Sequence, residues 1–173
     1  MSKEQNLSVL LSSKSNEHYT PIEIVELARE MLGSIELDPA SCLEANKTIK
    51  AKFFFSKKED GLLCSWSAKT IWCNPPYGRI KAKSSQAIWL DKMIEEYKNN
   101  KFESGLLLIN ASTGNKWFKK VWDYPVCLLY RRIQFISDGV IKKQTTHSNA
   151  IVYFGKDIEQ FKKSFSKIGK IIL

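Results

Sequence analysis

Residues 71–78, Ile-Trp-Cys-Asn-Pro-Pro-Tyr-Gly, constrain this chain more than any other stretch, because an apolar run ends there in two consecutive prolines. Proline fixes φ near about −65° and drives the residue before it to extended backbone, so neither Asn74 nor Pro75 can continue into a helix. Residues 69–73 have the length and apolar content of a short buried strand, and Gly78 opens a loop. The tetrapeptide therefore belongs at the carboxyl end of a strand, where open α/β sheets bind ligands. The Asn74 side-chain oxygen and the Pro75 main-chain oxygen are two acceptors on stiff backbone. A planar amino group offers two N–H donors to such a pair, and Tyr77 offers a ring face for stacking. Drawing those hydrogens out of plane localises an otherwise delocalised lone pair, and no strong general base is needed. The competing reading is a rigid turn with Tyr77 packed on the surface.

Thr20-Pro21 reads as a helix start, with Thr20 as N-cap, Pro21 in the first turn and Glu23 three residues after the cap. Ile24, Leu27, Ala28, Met31 and Leu32 follow at helical spacing, and Gly33 stops the helix. Residues 35–37 make a short strand that breaks at Asp38-Pro39. There a carboxylate at a strand end can face a ligand ammonium, or Asp38 can bond its own backbone in an Asx turn. Of Phe53, Phe54 and Phe55, at least two are expected in the core. Asp60-Gly61 is a turn or, through the Asp60 carboxylate, a ligand contact.

Farther on, a basic loop over 79–86 precedes a helix over 87–97, and 105–110 reads as a fully buried parallel strand. A short helix over 115–122 and a strand over 126–130 follow. Residues 132–135 and 149–154 read as two strands of an antiparallel pair around a polar loop. Ile158, Phe161, Phe165 and Ile168 recur at helical spacing among the lysines of the C-terminal stretch.

With 173 residues the chain fits one domain, expected at 17–173 after a flexible polar arm at 1–16, and no second recognition domain fits. Cysteines 42, 64, 73 and 127 show no metal-ligand spacing, so no metal is expected and the compartment is a reducing one. No apolar run reaches the ~18 residues of a membrane span and residues 1–16 lack a signal-peptide core, so a cytoplasmic protein without membrane partners is expected. The 27 basic against 18 acidic residues give +9, a balance that favours a polyanionic partner and disfavours a protein substrate.

The pieces His18-Tyr19-Thr20-Pro21, Leu37-Asp38-Pro39-Ala40-Ser41, Asp60-Gly61-Leu62, Trp66, Asn74-Pro75-Pro76-Tyr77, Arg132-Ile133-Gln134-Phe135 and Ala150-Ile151-Val152-Tyr153-Phe154-Gly155 occur in an order that resembles the phage-type DNA N-6-adenine methyltransferases, relatives of the larger Dam-like enzymes. The resemblance implies an α/β fold: one Rossmann-like methyltransferase domain with a mostly parallel sheet and a terminal antiparallel strand. It also implies S-adenosylmethionine as cofactor and adenine N6 in DNA as methyl acceptor. Asn74, Pro75, Pro76 and Tyr77 then fall in the catalytic element. Tyr19, Thr20, Pro21, Asp38, Pro39, Ala40, Ser41 and Asp60 fall beside the cofactor, with Asp38 facing the methionine ammonium. This chain departs from the pattern after Asp38-Pro39, where Ala40-Ser41-Cys42 replaces a glycine-rich turn. The same amino-group grip serves RNA or a protein glutamine, and loss of the glycines also fits a nucleic-acid binder without activity. For DNA the expected phosphate contacts are Arg79, Lys81, Lys83, Lys142 and Lys143, with His147 nearby and Gln86, Gln144 and Asn149 as base readers.

Overall fold

The structure, a computed structural model, describes residues 18–137, 140–141 and 147–173. The expected arm at 1–16 and the residues Lys142, Lys143 and Gln144 lie outside them. In chain order the elements are α1 (Ile22–Leu32), β1 (Leu37–Asp38), α2 (Leu43–Ile49), β2 (Phe53–Phe54), β3 (Thr70–Cys73), a small hairpin of β4 (Arg79–Ile80) and β5 (Lys83–Ser84), α3 (Ser85–Lys98) and β6 (Ser104–Asn110). A 3₁₀ helix (Lys116–Asp123) leads to β7 (Val126–Leu129), the hairpin strands β8 (Ile136–Ser137) and β9 (Val140–Ile141), β10 (Asn149–Phe154), α4 (Ile158–Phe165) and β11 (Gly169–Ile172).

Seven strands form one sheet in the order β2-β1-β3-β6-β10-β7-β11. The strands β2, β1, β3, β6 and β7 run one way, and β10 and β11 run against them. Side-chain alternation splits the core into two layers. Trp72, Leu106, Leu108, Ile151 and Tyr153 face α1 and α4. Ile71, Cys73, Leu107, Ile109, Val152 and Phe154 face α3 and the 3₁₀ helix. Because β6 and β10 are covered on both faces, their sequences are apolar runs rather than alternating ones.

Four sequence expectations change. First, Pro21 rather than Thr20 occupies the N-cap of α1, and no side chain caps that helix. Gly33 does end it, at φ 74°. Second, Phe53 is 61% exposed, because β2 is the sheet's edge strand; Phe55, next to it, packs partly into the core. Third, residues 132–135 form no strand, and β10 instead lies between β6 and β7, paired antiparallel to both. The Asn149 side chain accommodates the irregular segment by accepting the Ile133 N–H at 3.3 Å. Fourth, the helical spacing of the C-terminal stretch stops at Phe165, and Gly169–Ile172 pairs with β7 at the sheet's other edge.

Candidate active site

The connections from β1 and β3 leave in opposite directions along the sheet, so the carboxyl ends of these neighbouring strands flank a crevice. A cavity of ≈ 500 Å³ opens there. It lies within the ~300–1,000 Å³ range of small-molecule sites.

On the β3 side, Asn74 follows directly from the buried strand. Its Nδ2 donates to the His18 carbonyl at 2.9 Å and to the Thr20 hydroxyl at 3.1 Å. The His18 carbonyl can only accept, so the amide cannot be turned around. The Asn74 Oδ1 is left buried and without a partner among the described residues. An unsatisfied buried acceptor costs roughly 1–3 kcal/mol, a cost that a donor entering the cavity removes. The Pro75 carbonyl likewise accepts nothing from the described backbone. The Tyr77 ring is held edge-on by two neighbours, His18 at 4.9 Å and Phe135 at 5.6 Å between centroids. Burial pushes its phenol well above the usual tyrosine range, so the hydroxyl stays protonated, beside the Asn149 amide but without a normal hydrogen bond to it.

On the β1 side, Asp38 is 2% exposed and its Oδ1 accepts the Ala40 N–H at 3.1 Å, the Asx-turn bond. The Ser41 hydroxyl lies beside the carboxylate without closing a hydrogen bond of normal geometry. Burial raises the Asp38 carboxyl to about 7 against these two polar neighbours, and no described cation offsets it. The Asp38 charge also helps burial raise the neighbouring Cys73 thiol. A carboxylate in this state is suited to a ligand cation. It keeps its Asx turn as well, so the two readings of Asp38 are compatible.

Gly61 packs directly against the turn that follows Asp38. A Cβ on Gly61 would lie 1.9 Å from the Pro39 carbonyl oxygen and 3.0 Å from the Trp89 ring. The two turns therefore touch backbone to backbone, which only glycine allows. Trp66 fixes this contact: its indole N–H donates to the Gly61 carbonyl at 2.8 Å, its ring stacks on Trp89, and its main-chain N–H donates to Glu96 at 3.1 Å. Asp60 is exposed, at φ 52°, and accepts the Leu62 N–H at 3.2 Å.

Asn74, Pro75, Pro76, Tyr77, Tyr19, Thr20, Asp38, Pro39, Ala40, Ser41 and Asp60 all line the one cavity; Pro21 does not, because it faces away at the helix start. Arg79, Lys81 and Lys83 are exposed on the β4–β5 hairpin, whose Ile80 reaches the cavity. Gln86 and Asn149 are buried, and neither is placed to read bases: the Gln86 amide oxygen accepts the Asn110 N–H at 3.1 Å, and Asn149 bonds Ile133 and Asn110. Sequence reasoning missed Trp72 and Trp89, which line the cavity and whose buried indole N–H groups have no partner among the described residues. Trp72 was legible only as strand core. Trp89 gave no signal beyond helical spacing.

The family model of DNA N-6-adenine-methyltransferase (Dam) matches residues 8–171, and the chain belongs to that family. No curated protein matches the chain. Among the described residues no helix is long and apolar enough to cross a membrane, and no group of three metal-ligating side chains occurs.

Proposed function

We propose that this chain transfers the methyl group of S-adenosylmethionine to the N6 amine of adenine in DNA. The observation that carries the reading is Asn74, whose donors are both occupied while its buried oxygen is not. An exocyclic amine supplies the missing donor. Asn74 Oδ1 and the Pro75 carbonyl take its two hydrogens, Tyr77 covers the ring face, and the nitrogen lone pair turns toward the β1 side of the cavity. The base must leave the helix stack to reach this position.

The Asp38 side of the cavity fits S-adenosylmethionine: Asp38 is a buried carboxylate with no described cation beside it, and Trp72 and Trp89, from β3 and α3, line the same cavity. That cofactor supplies, when bound, an electrophilic methyl group on a sulfonium centre. Asp38 would hold the methionine ammonium, with Tyr19, Thr20, Ala40, Ser41 and Asp60 around the remainder. No side chain is required as a strong base, and the product's proton passes to solvent. Arg79, Lys81 and Lys83 on the hairpin would contact DNA phosphates. Residues 17–173 act in this reading as one catalytic domain.

The test is incubation with methyl-tritiated S-adenosylmethionine and separate DNA, RNA and protein acceptors, followed by nucleoside analysis. Label in N6-methyladenine from DNA is the expected outcome. Label confined to RNA or protein overturns the substrate, and absence of cofactor binding by calorimetry overturns the enzyme.

A further inference from the structure

A second groove lies outside the cavity, and its exposed rim is cationic. It is lined by Tyr130, Arg131, Arg132 and Gln134, with Lys167 and Ile168 on one side and the start of α1 on the other. Tyr130 is 66% exposed, unusual for an aromatic ring in a folded domain. Its main-chain N–H donates to the Ile168 carbonyl at 3.0 Å, which brings Lys167 beside it. Arg131, Arg132 and Lys167 are exposed and have no ion pair among the described residues; Glu23 is the acidic residue of the lining.

The same segment runs directly to the active site. Residues 132–135 alternate, with Arg132 and Gln134 outward and Ile133 and Phe135 buried. Phe135 packs edge-on against Tyr77, and Ile136 pairs with Tyr19 through reciprocal main-chain bonds of 2.9 and 3.0 Å. Arg132 is thus three residues from the ring that fixes Tyr77, a span of at most ~10 Å for extended chain. An exposed ring among unpaired cations, joined to the cavity by a short segment anchored through Ile133 and Phe135, is the chemistry that holds a nucleic-acid strand.

We propose that this groove is a DNA-binding surface, in which Arg131, Arg132 and Lys167 contact phosphates flanking the target base and Tyr130 stacks on a neighbouring nucleotide. This deepens the DNA-methylation reading and rests on it. It assigns a recognition role to the Arg132-Ile133-Gln134-Phe135 element, with Ile133 and Phe135 as anchors and Arg132 as the contact.

The experiment compares wild type, an R131A/R132A/K167A variant and Tyr130→Ala, measuring duplex DNA binding by fluorescence anisotropy from low to moderate salt. All four side chains are exposed or at a rim, and a melting curve confirms that each variant folds. The triple variant should lower the slope of log affinity against log salt by ~2–3. Tyr130→Ala should weaken binding about 5–100-fold with the slope kept, as loss of one stacked base does. S-adenosylmethionine affinity, read by calorimetry, should not move. An unchanged slope in the triple variant, with methyl transfer to DNA intact in the wild type, overturns the groove and leaves the activity standing. A lowered slope in the triple variant, with a wild type that methylates no DNA, overturns the activity and keeps the groove as a DNA site. A wild type that binds no DNA overturns both.

Discussion

At the Asn74 end of the cavity both amide hydrogens are satisfied and an acceptor is left over, whereas at the Asp38 end a carboxylate is buried with no cation beside it among the described residues. The first arrangement is built from backbone stiffness. Two prolines set the chain direction, and His18 and Thr20, from the far side of the chain, lock the amide. The second is built from burial, with Gly61 and Pro39 in backbone contact and Trp66 closing behind them. The Asn74 end is therefore pre-organised without a ligand. The Asp38 end carries an electrostatic cost that a cationic ligand would relieve, so stability and binding are linked there.

Asn74→Ala tests the first end and should give the largest effect. The change removes an acceptor directed at a buried donor, worth ~1–3 kcal/mol, and a transition-state contact whose loss typically costs ~10²–10³-fold in turnover. Turnover should fall by ~10³-fold or more while S-adenosylmethionine affinity measured by calorimetry stays within about twofold. Loss of cofactor binding in this variant would show that the two ends are not separable.

Asp38→Asn tests the second end. The carboxyl sits at about 7 in the folded state against 3.8 for an aspartate in water, so the folded protein takes up a proton between those values and its stability falls as pH rises. The penalty is complete above pH ~7–8 and vanishes below pH ~4. In the ligand-free protein, Asp38→Asn should raise stability at pH 8 by roughly 2–4 kcal/mol, and the gain should shrink on acidification. Cofactor affinity should fall in the same variant. In the wild type that affinity should rise with pH through about 7, as the carboxylate forms. A flat stability difference across pH, read from denaturant midpoints, would remove the buried-charge account.

Much of the local structure at the Asn74 end was legible because its signals are local. Proline geometry, a short apolar strand and an aromatic ring all fall within residues 71–78, and the adjacent strand β6 announces itself as an apolar run. What sequence could not show is contact across long separations. Thr20 has the composition of a helix cap, yet its hydroxyl accepts from Asn74, 54 residues away. The Gly61–Pro39 contact brings together two turns that lie apart in the sequence. Gln86 and Asn149 look like exposed base readers in a polar context and are buried main-chain partners instead. Phe53 has core composition but lies on an edge strand, and β11 is too short and too close to a lysine-rich helix to stand out from it.

Gly61→Ala probes the cofactor end by sterics alone. Its Cβ would overlap the Pro39 carbonyl, and backbone cannot move aside as a flexible side chain can. The two turns must part, at ~1–3 kcal/mol of stability as for other overpacked sites. Cofactor affinity should drop by about 5–100-fold, and the Asn74 end should keep its base-binding geometry. The check is paired calorimetry with cofactor and a melting curve; unchanged values in both would mean that the turns do not shape the pocket.

Tyr77→Phe should produce the smallest change of all, and it separates ring from hydroxyl. The phenol is protonated, buried and without a normal hydrogen bond, so removing it deletes no good contact and should alter kcat by less than about threefold. The ring itself is held by His18 and Phe135, and in the proposed reaction it would cover the base, a stacking contact worth ~1–3 kcal/mol. Tyr77→Ala should therefore lose about 5–100-fold in kcat/KM for DNA with cofactor affinity retained. Phe135→Leu should fall between the two, since it leaves the Tyr77 ring present but no longer clamped on one edge. Equal losses in Tyr77→Phe and Tyr77→Ala would move the function from the ring to the hydroxyl, and the Asn149 amide beside it would then be the group to mutate next.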